Sequence, residues 1–158
     1  MLKPKITLKQ EECPAQIAAI AEETIKDSYP KYYPSGAVAF FLNLHNELNI
    51  ASVKNQERIY LVCQKETVIG TISVRANEIC RFFILPEYQK KGYGSCAMDL
   101  IEEELFQTYQ SIQVAASFPA ESMYLKRGYQ IVSYETIETE NGDVLCYHTM
   151  AKKRLLDR

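Results

Sequence analysis

The sequence predicts a mixed α/β domain with one mixed sheet and the element order β-α-α-β-β-β-α-β-α-β-β. Three observations carry that reading. Apolar residues recur at helical spacing over residues 13–29, 37–48 and 94–109. Between the second and third of these, β-branched and aromatic residues crowd three consecutive runs at 58–64, 67–75 and 78–85. No repeat, low-complexity tract or linker interrupts the chain, so residues 1–158 read as a single domain, long enough to bury most of its apolar surface.

Each element follows from local chemistry. KITLK at 5–9 alternates and reads as a short strand. The first helix runs from Cys13 to Tyr29, with Ile17, Ile20, Ala21, Thr24 and Ile25 on one face and Pro14 and Pro30 at its ends. PKYYPSG at 30–36 is a turn-rich loop, and a second helix runs from Ala37 to about Leu48. NIASVKNQER is expected to be loop or a short helical end. The three strands follow, with Lys65–Thr67 as a hairpin turn. Gly94 to Tyr109 forms a helix with Ala97, Ile101 and Leu105 inward and Asp99, Glu102, Glu103 and Glu104 mostly solvated. SIQVAA at 111–116 is a buried strand, and Ala120–Arg127 is a helix stopped by Gly128. The last two strands, 129–139 and 144–151, meet at an Asn141-Gly142 hairpin.

Composition excludes several classes. Hydrophobic residues make up 47% and charged residues 24% of the chain, which argues against disorder, collagen and coiled coil. A net charge of −2 leaves no global basic footprint for nucleic acid. The five cysteines are widely spaced with no C-x-x-C pair, which speaks against a zinc knuckle, any other metal site or a disulfide framework. The Met1–Lys5 end has no apolar signal region, Glu11 and Glu12 follow soon after, and no apolar stretch approaches the ~20 residues that span a bilayer. A cytoplasmic setting without a membrane partner is expected. With eleven tyrosines, two histidines and no tryptophan, proton chemistry must lean on Tyr or carboxylates.

The chemical signal lies in RFFILPEYQKKGYGSCAMDLIEEEL, residues 81–105. A buried strand ends at Leu85, Pro86 cannot extend its ladder, and Gln89-Lys90-Lys91-Gly92-Tyr93-Gly94-Ser95 then opens a helix. Unpaired first-turn N–H groups, two glycines that permit close approach and two lysines make an anion site suited to a phosphate or pyrophosphate. A bare surface turn is the plain alternative. Dinucleotide binding fits Gly92-x-Gly94-x-x-Ala97 only in part: six residues separate Leu85 from Gly92, and no acidic residue falls between Leu105 and Ala120 to hold a ribose. P-loop binding fails, because no Gly-Lys-Ser/Thr follows.

Gln89-Lys90-Lys91-Gly92-Tyr93-Gly94 resembles the Q/R-x-x-G-x-G/A pyrophosphate loop of the GCN5-related N-acetyltransferase (GNAT) family. Ala120 to Tyr129 resembles its second motif, A-x-x-x-Y-x-x-x-G-F/Y, about thirty residues on with a strand between. The element order resembles that family's across nearly the whole chain, which implies the GNAT acyl-CoA N-acyltransferase fold. The resemblance implies acetyl-CoA as cosubstrate, held where the fourth and fifth strands (78–85 and 111–116) splay apart. Backbone groups of Phe83, Ile84 and Leu85 would then meet the pantetheine arm, and N–H groups of Lys90 through Ser95 the pyrophosphate. Ser117 stands where many members carry an Asn that contacts the arm.

The resemblance assigns Tyr124 as the general acid that protonates the departing thiolate, a role open to a phenol with a pKa near ~10. The expected reaction is direct attack by the amine of a small molecule or peptide. A base is required in principle, and Glu78, Glu121, Glu135 and His148 are all open, as is a relayed water. Cys96 has no His near it in sequence and is expected to pack in the core. In this family the region of the Tyr29–Pro34 loop and the helix bearing Phe40, Phe41 and His45 flanks the acceptor pocket, which leaves two readings open: a wall that selects an apolar or cationic amine, or a surface loop with packed aromatics. A homodimer is the one protein assembly allowed for. A noncatalytic acyl-CoA-binding module is the alternative reading, and an NAD(H)-binding oxidoreductase a more distant one.

Overall fold

The computed structural model describes residues 3–11 and 13–155, so the readings placed on Met1, Leu2 and Glu12 lie outside the described residues. The strands are β1 (Thr7–Gln10), β2 (Arg58–Gln64), β3 (Thr67–Arg75), β4 (Glu78–Ile84), β5 (Ser111–Ala116), β6 (Gln130–Glu138) and β7 (Val144–Lys153). The helices are α1 (Pro14–Ser28), α2 (Ser35–Leu44), α3 (Glu47–Val53), α4 (Tyr93–Phe106) and α5 (Phe118–Lys126). All seven strands form one sheet in the order β1-β2-β3-β4-β5-β7-β6. Every neighbouring pair is antiparallel except β4–β5.

Helices cover both faces. One core joins Ile17, Ile20, Ile25 and Ile50 of α1 and α3 to Ile59, Leu61, Phe83 and Leu145 of the sheet. The other joins Ala97, Met98, Ile101 and Leu105 of α4 to Ile72, Val74, Ile112 and Met150. β3, sandwiched between the two, shows a run of buried residues with no alternation, whereas the edge strand β6 alternates.

Two sequence expectations are corrected. The single helix expected over 37–48 is two: α2 ends at Leu44, and Asn46 opens α3 by accepting a hydrogen bond from the Asn49 N–H (2.8 Å). Of the two readings of NIASVKNQER, the helical end holds: residues 49–53 complete α3, and the remainder is turn leading into β2. Glu102, expected in solvent, is buried because Arg127, Lys152 and Tyr129 all donate to its carboxylate. Among the described residues no helix is long and apolar enough to cross a membrane.

Candidate active site

The sheet comes apart at its only parallel pairing. β4 and β5 share two register positions, Glu78↔Gln113 and Ile79↔Val114, and beyond these β5 follows β7 alone. From Arg81 onward the β5-facing edge of β4 borders a gap. The Leu85 N–H donates to Ile69 O (2.8 Å), and Thr71 lies opposite Phe83. Antiparallel alternation then commits the backbone of Phe83 and Leu85 to β3 and turns that of Phe82 and Ile84 toward the gap. Of the three residues expected to offer backbone groups to a pantetheine arm, Ile84 faces the gap, Phe83 contributes its ring, and the Leu85 amide is already engaged.

Gly70 permits this geometry and was not singled out in the sequence. A Cβ there would stand 2.4 Å from Phe83 O and 2.9 Å from Ile84 Cδ1, so only glycine lets β3 lie this close behind the cleft edge.

The loop after β4 is built from unusual backbone. A short 3-10 turn spans Pro86–Tyr88, and Gln89 reaches back to donate from Nε2 to Ile84 O (2.8 Å). Lys90 has φ 61° and Gly92 φ 87°, two left-handed residues flanking Lys91. Such alternation gathers successive N–H groups into a concavity that suits an anion, and the start of α4 carries no side-chain cap. Gly94 packs its α-carbon over β4: a Cβ there would lie 3.6 Å from Phe82 Cζ and 3.7 Å from Ile84 Cγ1. Lys90, Lys91 and Gly92 are exposed, and Tyr93, Gly94 and Ser95 half-buried.

Arg127 fixes the two motifs to each other, and sequence reading missed it. It donates to Ser95 Oγ (3.0 Å), Asp99 Oδ1 (2.7 Å) and both Glu102 oxygens (3.1 and 2.9 Å), so the end of α5 holds the first turns of α4.

Behind the gap lies a cavity of about 330 Å³ whose lining includes Phe83, Ser117 and Tyr124 of the predicted site. Tyr29 lines it from the end of α1 and donates to Ser117 Oγ (3.3 Å); nearby, Tyr33 Oη accepts from the Phe118 N–H (2.7 Å). These two contacts account for part of the tyrosine excess, because they tie the α1 side of the sheet to the start of α5 across the split. Tyr124 is buried, and burial first, then the Tyr29 and Glu102 side chains, pushes its phenol well above the ordinary 10.0. It therefore keeps its proton throughout the neutral range.

None of the base candidates lines the cavity. Glu78 sits at the still-paired end of β4, Glu135 accepts from Ser133 Oγ (2.7 Å), and Glu121 Oε2 lies 3.0 Å from His148 Nδ1. Among the described residues no carboxylate borders that space at all. The titratable groups that do include His45 and Arg81. Cys96 is buried and hydrogen-bonds Pro4 O through its thiol, as packing predicts.

A mixed sheet split at its parallel pair, with an uncapped helix start on one side and an aromatic cavity on the other, defines a class of α/β proteins with a cleft between two strands. The comparisons name the family. The sequence model described as an acetyltransferase (GNAT) domain matches residues 28–154, and the chain belongs to that family of acetyltransferases. Among solved structures, the chain is similar to a GCN5-related N-acetyltransferase from Rhodopseudomonas palustris (22% identity, 98% of each chain, TM-score 0.84). It is also similar to the PaiA N-acetyltransferase from Thermoplasma acidophilum in complex with coenzyme A (18% identity, 95% of this chain and 99% of that one, TM-score 0.72). A third likeness is to the ribosomal-protein-S18-alanine N-acetyltransferase from Escherichia coli (15% identity, 98% and 97%, TM-score 0.68). At these identities the likeness establishes the fold. No curated protein matches the sequence.

Proposed function

We propose that this chain transfers an acetyl group from acetyl-CoA to a primary amine of a small molecule or peptide in the cytoplasm. The observation that carries the reading is the placement of Tyr124 in the wall of the cavity behind the β4–β5 gap, with Ser117 and Phe83 in the same wall. The pyrophosphate would lie on the N–H groups of Lys90 through Ser95, with Gln89 bracing the loop against Ile84. The pantetheine arm would follow the free edge of β4 past Ile84, within reach of Ser117. The coenzyme A complex of the Thermoplasma relative supports the choice of cosubstrate.

In the reaction the amine lone pair forms a C–N bond to the thioester carbon, and the C–S bond breaks as the tetrahedral adduct collapses. Tyr124 gives its proton to the departing sulfur and regains one from the new amide nitrogen, so the pair of transfers leaves the phenol unchanged. The substrate enters as free amine, drawn from its solution equilibrium, because none of the four base candidates borders the cavity.

A mass-spectrometric screen of amine libraries, with and without acetyl-CoA, tests the proposal. Gain of an acetyl group that requires acetyl-CoA supports it. Acetyl-CoA binding without any acetylated amine would reassign the chain as a noncatalytic acyl-CoA-binding module, and a thermal shift with NAD but none with acetyl-CoA would reject both.

A further inference from the structure

The cavity wall holds two buried polar side chains, each with one atom that no protein group satisfies. Arg81 is 6% exposed and His45 8% exposed, and both line the space. Arg81 Nη1 donates to Glu57 Oε2 (2.7 Å), and Ser73 Oγ donates to the same oxygen (3.1 Å). That pair anchors the guanidinium to the end of the sheet. Arg81 Nε, however, is buried with no protein partner, and so is His45 Nδ1. Buried polar atoms without partners are rare, and one on a residue that lines a cavity is where a ligand atom or an ordered water completes the bond.

The surroundings say what that atom is. An arginine Nε can only donate, so it requires an oxygen or another acceptor. His45 packs edge-on against Phe83 (ring centroids 5.0 Å apart), one pleat repeat along β4 from Arg81, about 6.6 Å at strand rise. Burial and the Arg81 charge hold His45 neutral, so one tautomer offers an N–H from Nδ1 beside the Arg81 donor. Apart from Ser117 and Cys80, the rest of the wall is aromatic or aliphatic, with Tyr29, Phe40, Phe41, Leu145 and Tyr147 among its residues. Among the described residues no carboxylate lines it to hold a second ammonium group.

We infer that the acceptor is an amine with an apolar body and a distal hydrogen-bond-accepting oxygen, a carbonyl or carboxylate, which Arg81 and His45 recognise, and that diamines are excluded. This rests on the acetyl-transfer reading and replaces the expectation from the tyrosine-rich loop alone, which left cationic amines open. Glu57 is a positioning residue that keeps the guanidinium in place.

Four acceptors of one chain length test the inference with the full chain and acetyl-CoA: hexylamine, 6-aminohexanamide, 6-aminohexanoate and 1,6-diaminohexane. The amide or the carboxylate should show at least tenfold higher kcat/KM than hexylamine, and the diamine should be poorest. The two oxygen-bearing arms separate a carbonyl from a carboxylate. Arg81→Lys keeps a cation beside Glu57 while removing the Nε donor, and it should shrink that preference below about threefold, as should His45→Phe. Circular dichroism melting checks that both variants fold. Binding is read separately by saturation-transfer NMR with hexanamide and hexylamine, neither requiring turnover. Hexanamide binding lost in Arg81→Lys, with no amine acetylated by the native chain, would uphold the cavity assignment and sink the catalytic reading. A diamine or hexylamine as best acceptor, or equal binding of hexanamide to native and Arg81→Lys protein, would overturn the inference itself.

Discussion

Arg127 Nη1 lies 3.0 Å from Ser95 Oγ, and its Nη2 lies 2.7 Å from Asp99 Oδ1 and 2.9 Å from Glu102 Oε2. One side chain at the end of α5 thus sets the position of the α4 start, where the pyrophosphate is proposed to bind. Removing it strands the Glu102 carboxylate with only Lys152 and Tyr129. Arg127→Gln should destabilise the fold by about 2–4 kcal/mol, read by urea unfolding, and should weaken acetyl-CoA binding in the folded fraction. Arg127→Lys should recover little of either, since a point charge cannot span Ser95, Asp99 and Glu102 together.

Gly70 makes a second prediction from packing alone. Gly70→Ala would place a methyl group 2.4 Å from Phe83 O, a backbone atom with no freedom to swing aside. The substitution should cost about 1–3 kcal/mol through overpacking and push β4 toward the gap. Gly94→Ala is the control: its methyl would meet Phe82 and Ile84 at ordinary distances of 3.6 and 3.7 Å, so stability should hold or rise slightly. Equal melting temperatures for the two variants would contradict the close β3–β4 approach.

Periodicity made most elements legible, because the core faces of α1 and α4 and the apolar run of β3 are local patterns. The break between α2 and α3 was missed, since apolar residues continue across it and only the Asn46 cap marks the restart. Motifs pointed to Gln89–Ser95 and Tyr124 as candidates, because each motif lies within one stretch of chain. Arg127, Gly70, Glu57 and Arg81 act through partners distant in sequence, and no spacing rule connects them. A signal did exist for Arg81: a charged residue at an inward position of the apolar strand EICRFFI implies a buried partner. The burial of Glu102 was hidden because its neighbours Glu103 and Glu104 read as a solvated face.

Tyr124→Phe separates the acid role from packing. The phenyl ring keeps the contact with Tyr129 (centroids 5.2 Å apart) and loses only the hydroxyl. Turnover should fall about 10²-fold or more, within the range for a lost general acid, while the acetyl-CoA dissociation constant stays within about twofold. Isothermal titration and steady-state kinetics on the same preparation read both. An unchanged kcat would remove Tyr124 from the mechanism.

The buried imidazole of His45 predicts how stability depends on pH. Burial, and secondarily the Arg81 charge, lower its pKa from 6.5 to about 3 in the folded protein. The unfolded chain therefore binds a proton between those values that the folded chain refuses. Stability from this group is complete above pH 6.5 and is lost as the pH falls toward 3. The slope approaches about 1.4 kcal/mol per pH unit inside that window. His45→Phe retains an aromatic ring against Phe83 and cannot titrate. Urea unfolding at pH 7 and pH 4.5 should show the native chain losing about 2–3 kcal/mol more than the variant between the two conditions. Because the carboxylates titrate in both proteins, the difference between them isolates the imidazole. Parallel losses in the two would mean that His45 accepts its proton in the folded state and is open to water, and the neutral Nδ1 donor assigned to the acceptor cavity would then have to be withdrawn.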